Sequence, residues 1–248
     1  MNTSKWTTRS AGILYLLIIA SGIFAQFMIR GSMIIPGDAA ATYANIAADP
    51  SGFGMSIAAD LVMIMSDVAL AALFFVLLRP VSTTLSLMAA LFRLTQAAIL
   101  GLNLIHLFRA LQLVSGEAYL AAFSVEQLQA QVLLAAEAHG IGYSLGLVFF
   151  GVQCALLGYL LVRSGYFPKV LGFLMIFAGI GYLVDCFAGF FLPTYADYAD
   201  IFAIVVFVPA IIGELSLALW LLIKGVKPPQ QETTSASRPA QKIATARS

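Results

Sequence analysis

Six stretches of this 248-residue chain are apolar for about the length a helix needs to cross a lipid bilayer. A hydrocarbon core about 30 Å thick takes about 20 residues of helix. The runs lie near 11–29, 56–78, 83–108, 138–162, 170–192 and 201–223. Within lipid every backbone N–H and C=O must find its partner inside the protein, so segments of this kind are read as helices. The expected fold class is therefore all-α: a polytopic membrane protein, a bundle of six transmembrane helices over 1–224. A disordered cytoplasmic tail over 225–248, rich in Pro, Gln, Ser, Thr and Ala, is expected to follow. Charge closes the other routes. Only 10% of the residues are charged, against about 25% in soluble domains. A formal net charge of +1 leaves no electrostatic footprint for nucleic acid. The expected partner is the lipid bilayer, not DNA or RNA.

The basic residues orient the bundle. With the N-terminus in the cytoplasm, ten of them, from Lys5 and Arg9 to Arg247, fall inside; Arg30 and Arg109 fall outside, and Arg93 falls within a span. Both termini are then cytoplasmic. Lys5 and Arg9 before an apolar run also fit a signal peptide, but the run has the length of a full span and no small-x-small cleavage site follows it. An uncleaved first helix is expected.

Several local features follow. Asp38 is placed to cap a short helix through "AAATYANIAAD", ended by Pro50, and Ser124 with Gln127 forms a capping box. A helix running from 125 to 162 would exceed the bilayer, so a bend or break is expected near Gly140 and Gly142. Gly140, Ser144, Gly151, Ala155 and Gly158 in span four, and Gly172 and Gly179 in span five, read as seams of close helix packing. Cys154 and Cys186 fall inside spans, without metal-type spacing, and read as packed thiols.

The informative residues are the charges within the spans, because a charge at the bilayer centre costs about 2.5–3.5 kcal/mol and is rarely idle. Asp67 and Arg93 sit at mid-depth on spans two and three, which the short loop "RPVST" makes antiparallel neighbours, so the two should meet. Spacings of three and seven put Arg93, Gln96 and Asn103 on one face; Asp60 and Asp67, seven apart, share another. Glu214 lies at mid-depth on span six, five residues after Pro209, which removes a backbone hydrogen bond and favours a bend. The expected pocket has Asp67, Arg93, Gln96, Asn103 and Glu214 at mid-depth, with Asp60, Asp185, His106 and His139 lining its outer mouth. Arg93 would act as anion anchor or counter-ion, and Asp67 and Glu214 as proton or cation carriers. One arginine cannot neutralise four acids, which favours a pocket that binds or transports a small ligand, a cation or a proton. The structural alternative is a buried ion pair that locks the bundle.

Two other readings stand beside these. A membrane-embedded enzyme, possibly metal-dependent in the sense that imidazoles and carboxylates are zinc-type ligands, would draw on His106, Glu137, His139, Asp60 and Asp185. The chain has only two histidines, however, and no HExxH, GxSxG or paired-cysteine motif. No metal site is therefore expected, and neither a cofactor nor a catalytic residue is indicated. The other reading is a non-catalytic accessory or sensor subunit, with the small-residue ridge as a partner interface.

The stretch "GLVFFGVQCALLGYLLVRSGYFPKVLGFLMIFAGIGYLVDCF", with the earlier "FRLTQAAILGLN" and the later "GELSLALWLLIKG", resembles bacterial multi-pass membrane proteins grouped as domain of unknown function 4386. The likeness extends over roughly 8–227, and its most specific part spans 149–172. It implies a protein of the bacterial cytoplasmic membrane. It implies no reaction, substrate or cofactor.

Overall fold

Each helix begins or ends on a side chain or glycine suited to the task. The computed structural model describes residues 5–225, beginning with α1 (Lys5–Ile23), which continues into a seven-residue π-helical segment, Phe24–Arg30, and a closing turn, α2 (Gly31–Met33). The Asp38 carboxylate caps α3 (Ala39–Ala48), accepting from the Ala41 N–H at 2.9 Å. Asp49 then accepts from the Gly52 N–H at 2.8 Å, and Pro50 opens α4 (Pro50–Leu78), a position where its missing N–H is no loss. Ser82 caps α5 (Thr83–Leu113), and a short 3-10 helix, Ala118–Ala122, leads to α6 (Val125–Ser164). The expected capping box opens α6: the Gln127 N–H donates to Ser124 Oγ and the Ser124 N–H to Gln127 Oε1. Gly165, at φ 72°, ends it in the left-handed conformation that suits glycine. The last two helices are α7 (Lys169–Phe191) and α8 (Tyr195–Ile223).

Six segments are long and apolar enough to cross a membrane: 5–33, 50–78, 83–113, 125–164, 169–191 and 204–223. The chain is thus an all-α polytopic bundle, without strands among the described residues. The tail expected over 225–248 lies, beyond Gly225, outside them. Each spanning helix packs on its neighbours in sequence, and α1 packs on α8, so the six helices close into a ring. The main apolar core lies inside this ring, with Tyr15, Leu70, Leu77, Cys154, Leu157 and Leu217 fully buried.

Two expectations are corrected. The helix over Val125–Ser164 carries no break at Gly140 or Gly142; it runs unbroken for 40 residues, about 60 Å at 1.5 Å per residue. Its far end is held by packing: Leu128, Val132 and Ala135 join Ile46, Phe53 and Leu107 in a second apolar cluster, and α3 lies against α6. Arg30, expected in an outer loop, is instead on the helical extension of α1 and only 2% exposed. The π-helical segment changes the phase of the helix just before it; the Gly31 N–H reaches back to the Gln26 carbonyl, five residues away.

The small-residue seams lie between α6 and α7. A Cβ on Gly151 would meet the Gly179 carbonyl oxygen at 2.9 Å, and one on Gly172 would meet the Val162 nitrogen at 2.9 Å. The two backbones therefore touch, through glycines seven apart on both helices, as membrane helices do when small residues line the contact. Gly140 has open space around it and belongs to no seam. Gly158→Ala and Gly172→Ala should each destabilise the detergent-solubilised protein by about 1–3 kcal/mol, the usual cost of overpacking. Gly140→Ala should be neutral or stabilising, since alanine is the better helix former. Thermal unfolding of the three variants checks the contrast.

Candidate functional site

Every spanning helix supplies one polar side chain to a single level of the bundle. Tyr15 of α1, Asp67 of α4, Arg93 of α5, Gln153 of α6, Tyr182 of α7 and Glu214 of α8 each lie nine to thirteen residues from the helix end on the side carrying the termini. At 1.5 Å per residue that is about 14–20 Å, the middle of a bilayer.

Arg93 is the centre of this level and is 0% exposed. Its Nη2 pairs with Asp67 Oδ1 at 2.5 Å, and its Nη1 donates to Gln153 Oε1 at 3.3 Å. The rings of Tyr15, Phe150 and Phe74 surround the guanidinium at 5.3, 5.3 and 5.9 Å from their centroids, within cation–π range. Gln96 donates through Nε2 to the other oxygen of Asp67 at 3.4 Å. Glu214, 8% exposed, accepts from the Tyr182 hydroxyl at 2.8 Å, and the buried Tyr15 hydroxyl faces it. Among the described residues no cationic side chain forms a salt bridge with Glu214.

A second polar layer lies further from the termini. Arg30 makes a two-pronged contact with Asp60, Nη1 to Oδ2 at 2.6 Å and Nη2 to Oδ1 at 3.3 Å, while its Nε donates to Gln26 at 3.2 Å. Asn103 donates to the His139 carbonyl at 2.8 Å and fills the space left by the missing side chain of Gly142. The His139 ring is buried beside Tyr143.

A cavity of about 200 Å³ opens between α1 and α8. Its polar wall is Asp67, Gln96, Tyr143, Tyr182 and Glu214; its apolar wall includes Ile18, Ile19, Met63 and Leu147. Of the residues singled out in the sequence, Asp67, Gln96 and Glu214 are brought together on it. Arg93 is not: it stands behind Asp67 and borders only a void of about 10 Å³ with Gln153. That position sets it against Asp67 and away from the cavity. Asn103, Asp60, His106, His139 and Asp185 do not line the cavity either. Asn103 and His139 join α5 to α6, Asp60 is taken by Arg30, Asp185 accepts from the Tyr195 hydroxyl at 2.8 Å, and His106 is half-buried on α5. Among the described residues no group of three or more His, Cys, Asp and Glu side chains could hold a metal ion, so the zinc-type set is not assembled.

Sequence reasoning passed over Arg30, Tyr15, Gln153 and Tyr182. The last three carried a usable signal, since each is a polar group at mid-span. Arg30 carried none, because its inward phase comes from the π-helical segment.

With this geometry in hand, the chain can be placed among known proteins. It belongs to the family described as "Domain of unknown function (DUF4386)", whose model matches residues 10–225. A protein of Archaeoglobus fulgidus, described as "Uncharacterized protein", is 33% identical over 172 residues, covering 69% of this chain and 85% of the relative. No solved structure matches.

Removing one member of a buried pair strands the other. Arg93→Met and Asp67→Leu should each cost about 3–5 kcal/mol, whereas the double variant should recover much of that loss. A double-mutant cycle on unfolding in detergent measures the coupling.

Proposed function

We propose that this protein binds, and thereby carries or senses, a small ligand in the cavity between α1 and α8. One observation supports the reading above the others: a buried carboxylate, Glu214, without a salt-bridge partner among the described residues, faces a space of about 200 Å³. An ion pair serving only to lock the bundle would leave no such space. In open α-helical bundles, sites form between helices where a few polar groups converge in an apolar wall. An ionisable group inside a membrane bundle marks such a site more often than a core charge does in a soluble protein.

Native mass spectrometry of protein released gently from its own membrane tests this. The expected result is a stoichiometric added mass that disappears in Gly22→Phe. A Cβ at position 22 meets only Met63 Sδ, at an ordinary 3.4 Å, and the ring would occupy the cavity. An added mass that persists unchanged in Gly22→Phe would place the ligand elsewhere.

We further propose that the bundle sits in a bacterial cytoplasmic membrane with both termini in the cytoplasm. Ten basic residues against two support this orientation. The bias sharpens once Arg30 is counted among buried residues, which leaves Arg109, near the far end of α5, as the one basic residue on the outer side. In a variant with Cys154 and Cys186 replaced by Ala, a membrane-impermeant maleimide should label Glu117→Cys on intact cells. Arg79→Cys should react only after permeabilisation; the reverse pattern inverts the topology.

A further inference from the structure

Resting on that reading of the cavity, we infer that its ligand is a small lipophilic monocation, an amine on an aromatic or short aliphatic body, reaching the site from the bilayer between α1 and α8.

Charge is the first reason. At this level Asp67 is matched by Arg93, and in the next layer Asp60 is matched by Arg30. Among the described residues Glu214 is the cavity's carboxylate without a salt bridge, so one positive charge completes the cavity. Hydrogen-bonding capacity is the second, and it is independent. Gln96 is 4% exposed and lines the cavity, and its Oε1 has no hydrogen-bond partner among the described residues. Its amide orientation is settled by Asp67: turning the oxygen towards that carboxylate would set acceptor against acceptor, so Nε2 faces Asp67 and Oε1 is left over. The donors set against the two carboxylates are engaged with them, Gln96 Nε2 on Asp67 and the Tyr182 hydroxyl on Glu214, while the Tyr143 hydroxyl and the Gln26 amide line other parts of the wall. Around Glu214 and Gln96 Oε1 the cavity therefore offers acceptors and negative charge, which suits an ammonium and repels an anion.

The wall and the rim define the rest of the molecule. Ile18, Ile19, Met63 and Leu147 give an alkyl or aryl body an apolar surface. The volume of about 200 Å³ compares with roughly 150 Å³ for an engineered cavity that takes benzene, so one ring with a short arm fits. Ile23, Phe27 and Ile211 at the rim are 44%, 59% and 50% exposed on membrane-spanning segments. A molecule dissolved in lipid meets such a rim directly, whereas a hydrated metal ion would have to shed its water there.

Two ring-fluorinated probes of similar shape test this, phenethylammonium and propylbenzene. Binding is followed by fluorine NMR on the full chain in nanodiscs and referenced to protein-free nanodiscs, so that partition into lipid cancels. Phenethylammonium should bind one per protein, and propylbenzene roughly tenfold to a hundredfold more weakly, the value of a hydrogen bond to a charged group. Glu214→Gln should bring phenethylammonium down to the level of propylbenzene, and Gln96→Leu should weaken it less. Glu137→Gln, an exposed charge away from the cavity, should leave both probes unchanged. If Glu214→Gln does not fold, the comparison of the two probes on the unsubstituted protein decides by itself. Equal binding of both probes, abolished by Gly22→Phe, would overturn the monocation and keep the cavity as a ligand site. Binding of neither probe would also overturn it, and the native mass spectrum then judges the cavity reading separately.

Discussion

A guanidinium at the centre of an apolar ring is the constraint around which this bundle is arranged. Arginine keeps its charge in any protein environment, so Arg93 at mid-depth cannot escape the cost of burial by losing a proton. It has to be paired, bonded and surrounded. Asp67 provides the charge, Gln153 an acceptor, and Tyr15, Phe74 and Phe150 the negative faces of three rings. Those five residues come from α1, α4 and α6. Satisfying one side chain of α5 therefore ties three of the other spanning helices to it, and the closed ring is the geometry that allows this.

The cavity is what this arrangement leaves behind. Because Arg93 is paired with Asp67 and does not line the cavity, the remaining carboxylate, Glu214, faces that space and accepts from the Tyr182 hydroxyl. The second layer does not compensate, since Arg30 is fully engaged by Asp60 and Gln26. Gln26 links the layers: it lines the cavity and accepts from Arg30. The π-helical segment that contains it therefore shapes one wall while turning Arg30 inward. Such segments are often found at functional sites.

Much of this was legible in the residues. The span positions followed from hydrophobic length, and the short "RPVST" loop was enough to bring Asp67 against Arg93. The capping box at Ser124 and the Asp38 cap were local signals read correctly. Of the bend or break expected near Gly140 and Gly142, the break does not occur, because bilayer thickness limits only the part of a helix in lipid. Beyond it, Leu128, Val132 and Ala135 find partners in α3, α4 and α5 that no local rule reveals. Asn103, Asp60, His106, His139 and Asp185 lie off the cavity for a related reason. Helical phase places a side chain on a face, but not which neighbour has already taken its hydrogen bonds.

The sequence by itself determined the class of molecule, since six apolar runs of membrane-spanning length admit only helices. It also determined the depth of each polar group, because rise per residue is constant along a helix. Tertiary structure alone decided which of those groups are spent on each other and which face a cavity. That outcome depends on helix rotation, on a change of helical phase before Arg30 and on backbone contact at glycine seams between α6 and α7. Each is settled by packing around a full ring and is invisible in any single segment.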